Sequence, residues 1–296
     1  MLKKWREKVE FGFVPASNYD ELWNEITRVC HEISQKYLPT VMNCINEVRR
    51  TLAILRKLNL NITIKIPEDI RKWLTNRIIE YVSSIVFFDT SEKEALEKAK
   101  QAANSAAHTL FRDMYEIWFF LNICFLLAPI SSSVSVIRIH RKGLQLKKKI
   151  PPNCWFEINF KYVNLFLEAP RYISWDTYDE FLIAQKIKRA PRPDIMIYIT
   201  EQPLEDILDE SRDPPIKPPN GIIEIKCFNG WWKKSAVKNQ IKKYMRLCKN
   251  IVIASRVDAP TEFYGVKVFP NIDFNVDNLG KLIKHVFNNL GVFHEQ

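Results

Sequence analysis

The chain reads as an α/β protein, a mixed β-sheet flanked by helices behind an all-helical N-terminal region. Three observations predict this. Over the first hundred residues apolar side chains recur at helical spacing, as in Leu22, Ile26, Val29 and Ile33. After Pro129, short runs rich in Ile, Val and Phe take over, broken by Pro, Asn and charged residues. Beyond residue 230, helical patterns alternate with such runs, the order expected of a sheet covered by helices. We expect a helical region at 1–109 and an α/β domain at 110–296.

The elements follow in order. Asn18-Tyr19-Asp20-Glu21 marks a first helix start, and a second helix is expected after Pro39, through Ile45, Val48 and Leu52 to Leu58. Ile66-Pro67-Glu68-Asp69 opens a third, with proline in the first turn and acids near the positive end of the dipole. Ser91-Glu92-Lys93-Glu94 begins a fourth that runs toward Glu116. Strands are expected at Val134–Ile139 and over Phe156 to Tyr162, where apolar and polar residues alternate as in one half-buried strand. Two more contain Asp194 and Glu224, separated by an acidic stretch of about 201–220 that is long for a connection and is either functional or disordered. A helix over Lys233–Leu247, strands at Ile251–Ala254 and Val266–Phe269, and a helix over Val276–Leu290 close the chain.

A hydrophobic content of 47% with only 7 Gly is that of a globular protein, not a disordered one. The net charge of +10 favours a polyanionic partner. In the acidic stretch six acids oppose only Arg212 and Lys217, leaving −4, so the rest of the chain carries about +14. The six cysteines are scattered without a C-x-x-C pair, which points to reduced thiols in the cytoplasm and away from a disulfide frame, a zinc site or an iron–sulfur cluster. The first residues lack the apolar core of a signal peptide, and the apolar run Ile117–Ile130 is short for a membrane span and includes Asn122 and Pro129. The expectation is a soluble protein without membrane association.

The chemistry concentrates in Pro193-Asp194-Ile195-Met196-Ile197 and Ile222-Ile223-Glu224-Ile225-Lys226. Residues i and i+2 of a strand share a face, so Glu224 and Lys226 look the same way. If the two strands pair, Asp194 joins them. Two carboxylates able to hold a hard divalent cation, beside an ammonium, suit phosphodiester hydrolysis. The structural alternative is a salt bridge of Lys226 to either acid. Glu116, on an apolar helix, needs a partner, and either a metal ion or Arg112 one turn earlier would serve. Lys233, Lys234, Lys238 and Lys242 lie in a helix segment without acids, and a second basic run spans Arg138 to Lys149, with Arg141 and Lys142 as candidate phosphate contacts. Trp231-Trp232 reads as a packing corner or a base-stacking pair.

Pro193-Asp194, a spacer, then Glu224-Ile225-Lys226 resembles the PD-(D/E)xK nuclease superfamily with its restriction-endonuclease-like fold. Gln240 and Tyr244, one helical turn apart, are similar to the Q-x-x-x-Y signature of the RecB-like branch, and Tyr115-Glu116-Ile117-Trp118 is a looser match to McrC-like nuclease domains. The resemblance covers about residues 110–270. It implies an αβββαβ core, with Asp194, Glu224, the Ile225 carbonyl and Glu116 holding one or two Mg²⁺ or Mn²⁺ ions and Lys226 positioning or deprotonating the attacking water. It further implies that the Gln240–Tyr244 face lines the site and touches nucleic-acid backbone, that the substrate is DNA, and that a homodimer would allow cutting of both strands. A catalytically inactive nucleic-acid-binding protein or a scaffold subunit on the same fold is the alternative.

Overall fold

The structure is a computed structural model of the 296-residue chain, and it describes residues 16–85, 92–139, 151–167, 193–207, 209, 211 and 216–293. The chain divides into two units, Met1–Asn46 with Lys65–Tyr115, and Glu47–Ile64 with Glu116–Gln296.

The first unit is helical. It holds the N-terminal part of α1 (Ala16–Lys57), all of α2 (Ile70–Ile85) and the N-terminal part of α3 (Glu92–Leu127). Asp69 caps α2, its Oδ1 accepting from the Lys72 N–H at 2.9 Å. Ile70, Leu74, Ile78 and Val82, at i, i+4, i+8 and i+12, turn one face of α2 into the core. Polar pairs join the helices beside the apolar packing: the buried Ser34 and Thr75 hydroxyls bond at 2.6 Å, and the half-buried Tyr37 hydroxyl meets His108 Nε2 at 2.5 Å. The expected break at Pro39 is absent, and one helix of 42 residues passes through it. Proline removes one backbone bond, but Leu38, Val41, Cys44 and Ile45 are buried around it, so packing outweighs the local cost.

The second unit is built on an eight-stranded mixed sheet in the order β2-β4-β5-β6-β7-β8-β10-β9. The strands are β2 (Ser133–Val134), β4 (Cys154–Ile158), β5 (Lys161–Leu167), β6 (Ile195–Thr200), β7 (Gly221–Lys226), β8 (Ile251–Ser255), β9 (Glu262–Phe263) and β10 (Val266–Phe269). A separate parallel pair joins β1 (Ile62–Thr63) to β3 (Ile137–Arg138). From β2 to β7 all neighbours are antiparallel, and β7, β8 and β10 run parallel. The crossover from β7 to β8 carries α4 (Ser235–Leu247), whose Val237, Ile241 and Tyr244 are buried at i, i+4 and i+7 against Ile222, Ile251 and Ile253. The closing helix α5 (Val276–Asn289) is capped by Asn275, which accepts from the Asn278 N–H at 3.0 Å.

Two strand expectations are corrected. The run from Phe156 to Tyr162 is a hairpin and not one strand: Asn159 and Phe160 both have positive φ, 51° and 62°, and turn the chain between β4 and β5. Alternation survives across a two-residue turn, so it conceals the reversal. The run Val134–Ile139 splits, Val134 pairing with β4 and Ile137 with β1: at Ser135 the N–H still donates to the Trp155 carbonyl, but the Trp155 N–H donates to the Ser135 hydroxyl in place of its carbonyl. In the acidic stretch, Leu204, Ile207 and Ile216 pack on Phe166, Met196 and Tyr198 of the sheet, and the Tyr198 hydroxyl donates to the Lys217 carbonyl at 2.8 Å.

Among the described residues, one helical stretch, Glu92–Ile130, is long and apolar enough to cross a membrane, longer than the run expected from composition. With 67% of its apolar window buried in the protein, it has the pattern of a core helix.

Candidate metal centre

Antiparallel pairing sets Ile195 opposite Ile223 and Met196 opposite Ile222. Continued by one residue, the register places Asp194 opposite Glu224, and residues directly opposite share a face. Lys226 follows on that face two residues later. The next pair would be Pro193 with Ile225. Proline has no N–H, so the Ile225 carbonyl lacks the ladder donor that any other residue would offer there. The Ile225 N–H donates instead to Asp194 Oδ2, at 2.6 Å. Proline followed by aspartate thus ends the β6–β7 ladder and turns a backbone carbonyl and two carboxylates to one edge.

The ammonium is held from two sides. Lys226 Nζ donates to Glu224 Oε1 at 2.5 Å and to Gln240 Oε1 at 3.1 Å, and the Gln240 amide donates to the Tyr244 hydroxyl at 2.6 Å. Gln240 and Tyr244 are one turn apart on α4, and Tyr244 also bonds the Glu224 side chain, so the helix and the strand are tied through a network of polar contacts. Glu224 is 1% exposed, Tyr244 is fully buried, and the Lys226 side chain is 14% exposed. Burial pulls the Lys226 pKa down, but Glu224 and Asp194 outweigh it and leave the pKa raised, so the group is an ammonium at neutral pH. Burial first, then the charges of Glu224 and Asp194, push the Tyr244 hydroxyl well above its ordinary range, so it stays protonated.

The donor set suits a hard cation. Glu224 Oε2 is buried and makes no hydrogen bond among the described residues, an arrangement that costs desolvation and that a cation would offset. Asp194, Glu224 and the Ile225 carbonyl are all oxygen donors. Among the described residues no group of three or more His, Cys, Asp or Glu is placed to hold a metal, so two carboxylates meet here and Glu116 does not join them in such a group. Glu116 lies on α3, 2% exposed.

Other expected contacts are placed differently. Tyr244 is buried and cannot reach a nucleic acid, and its hydroxyl instead fixes Gln240. Lys233, Lys234 and Lys242 are exposed and Lys238 is half-buried. Lys238 and Gln240 are two residues apart, about 200° around the helix, so Lys238 points away from the Lys226 flank. Arg141 and Lys142 lie outside the described residues. Trp231 is the packing corner: 3% exposed, its indole N–H donates to the buried Ser255 hydroxyl at 3.0 Å, and Ser255 is the β8 neighbour of Lys226. Pro193 was legible only as part of a motif, whereas its missing N–H is what matters. Arg256 grips the end of β7, its backbone N–H on the Lys226 carbonyl and its Nε on the Cys227 carbonyl, both at 2.9 Å. A base directly after an apolar strand was the one signal for it.

Compared with family models, curated proteins and solved structures, the chain matches none of them.

Proposed function

We propose that the chain is a metal-dependent nuclease of the restriction-endonuclease-like fold, acting on DNA with Mg²⁺ or Mn²⁺. The observation that carries the reading is the meeting of Asp194, Glu224 and Lys226 at the edge where the β6–β7 ladder stops. The run of α3, the β5–β6–β7 meander, the α4 crossover and β8 is compatible with an αβββαβ core.

Asp194, Glu224 and the Ile225 carbonyl would hold the ion, with Glu116 a further ligand only by the resemblance. When bound, the ion supplies Lewis acidity and charge neutralisation at the scissile phosphate. Lys226 presents a fixed positive charge and a hydrogen-bond donor where negative charge develops on the phosphate. Gln240 keeps the ammonium from collapsing wholly onto Glu224, and Tyr244 orients Gln240. The ordinary environment of a general base is missing around Lys226, since its carboxylate neighbours hold its proton on. We assign it transition-state stabilisation.

A second reading has its own observation. The 2.5 Å Glu224–Lys226 ion pair is also what a non-catalytic nucleic-acid-binding protein would keep as structure. Cleavage of circular single- and double-stranded DNA separates the two. With Mg²⁺ or Mn²⁺ the wild type should cut, and EDTA, Asp194→Ala and Lys226→Ala should each stop it. DNA binding without cleavage by the wild type with either metal would move the assignment to the binding protein.

A further inference from the structure

The flank of α4 facing away from Lys226 carries its own pattern. Residues 231–257 contain eight Lys or Arg and no acid. Lys238, Lys242 and Met245 follow i, i+4, i+7 along this flank, with exposed Lys234 and Lys249 at its ends. Met245 is 50% exposed. Against the flank stands Tyr264, 48% exposed, with Lys238 Nζ 4.5 Å from its ring centroid and Phe263 edge-on at 4.7 Å. Tyr264 and Gly265, with φ of 52° and 80°, form the β9–β10 turn in a conformation that favours Asn-Gly and disfavours an aromatic residue. An exposed aromatic ring held in a strained turn, beside a basic stripe, is poorly explained by folding alone. Glu262, the acid of this hairpin, sits opposite Lys267.

We propose that Tyr264, Lys238, Lys242 and the flanking Lys234 and Lys249 form a track for single-stranded nucleic acid, one helix width from the metal centre. The choice of strand follows from the ring. Bases in a duplex are stacked on one another and offer only their edges, whereas an unpaired base can stack on an exposed aromatic face. Lysines spaced along a helix neutralise successive phosphates without reading sequence. The track rests on the nuclease reading for its role, delivering a single strand across α4 to the site on the other flank, about 10–12 Å away.

Binding of a labelled oligothymidine, followed by fluorescence anisotropy in EDTA, tests it apart from cleavage. Tyr264→Asn suits the turn better than the native residue, so folding is preserved while the ring is lost. The expected result is about tenfold weaker single-strand binding for Tyr264→Asn, none of that loss for Tyr264→Phe, and little change for a duplex. Lys238→Ala and Lys242→Ala should each lower the salt slope of single-strand binding by about 0.7. Wild-type single-strand affinity in Tyr264→Asn, or an equal loss for duplex, would overturn the track. The metal assay is independent: cleavage by the wild type with unaltered Tyr264→Asn binding sinks the track alone. Tyr264-dependent binding without any cleavage sinks the nuclease reading and keeps the track.

Discussion

Lys226 is the residue on which the site's energetics turn, because it is the cation that makes two adjoining carboxylates tolerable. Removing it while Glu224 stays buried leaves an uncompensated charge. Lys226→Met should therefore destabilise the protein by about 3 kcal/mol in denaturant titrations, and Lys226→Met with Glu224→Gln should recover most of that. If a cation binds here, Mn²⁺ should stabilise the single variant more than the double. The raised pKa values of Lys226 and Tyr244 fix the alkaline limit. Lys226 favours the fold fully below its ordinary value of 10.5 and loses that contribution as pH climbs through its higher folded value. Tyr244 acts in the same direction: above its ordinary 10.0 the unfolded chain can ionise while the folded one resists. Stability should fall above about pH 10, less steeply in Tyr244→Phe, as followed by thermal melts against pH. At this scale the sequence was informative where chemistry sits in adjacent residues. Glu224 and Lys226 share a face by strand period alone, and helical period alone separates Lys238 from Gln240, but that the Gln240 flank is the one that meets Lys226 is visible only in the packed structure.

At the scale of elements, the instructive failure is the β4–β5 hairpin. Ile158-Asn159-Phe160-Lys161 keeps the period of two that a continuous strand would show, and no glycine marks the turn. Phe160, 90% exposed at φ 62°, occupies a position where glycine is favoured. Phe160→Gly should raise stability by about 1 kcal/mol in urea titrations. A loss instead would mean that the aromatic side chain makes up for its strain. Pro39 misled in the opposite sense: a residue that ends helices locally lies within α1, since buried neighbours on both sides hold the helix together. By contrast α4, β8 and α5 were legible almost to the residue, because amphipathic spacing and the four-residue apolar run Ile251–Ala254 are local signals that packing does not contradict.

For the whole molecule, sequence conveyed the class, helices followed by a mixed sheet with helices, but not how the chain is partitioned. Segment 47–64 belongs with the sheet-bearing unit although it lies amid helices, and α1 and α3 each run through both units. No local pattern encodes that, since it depends on contacts between residues far apart in the chain. The acidic stretch was equally opaque: its charges are obvious, whereas the anchoring of Ile207 and Ile216 on the sheet depends on a surface formed by β5 and β6. The β6–β7 pairing stops short of Pro193, and on the function proposed above the three oxygen donors left there would hold a hard cation. Calorimetric titration of the wild type and of Asp194→Ala with Mn²⁺, at neutral pH and without nucleic acid, tests it most directly. Saturable binding to the wild type that Asp194→Ala abolishes is the predicted result. Equal binding to both proteins, or none to either, would contradict it.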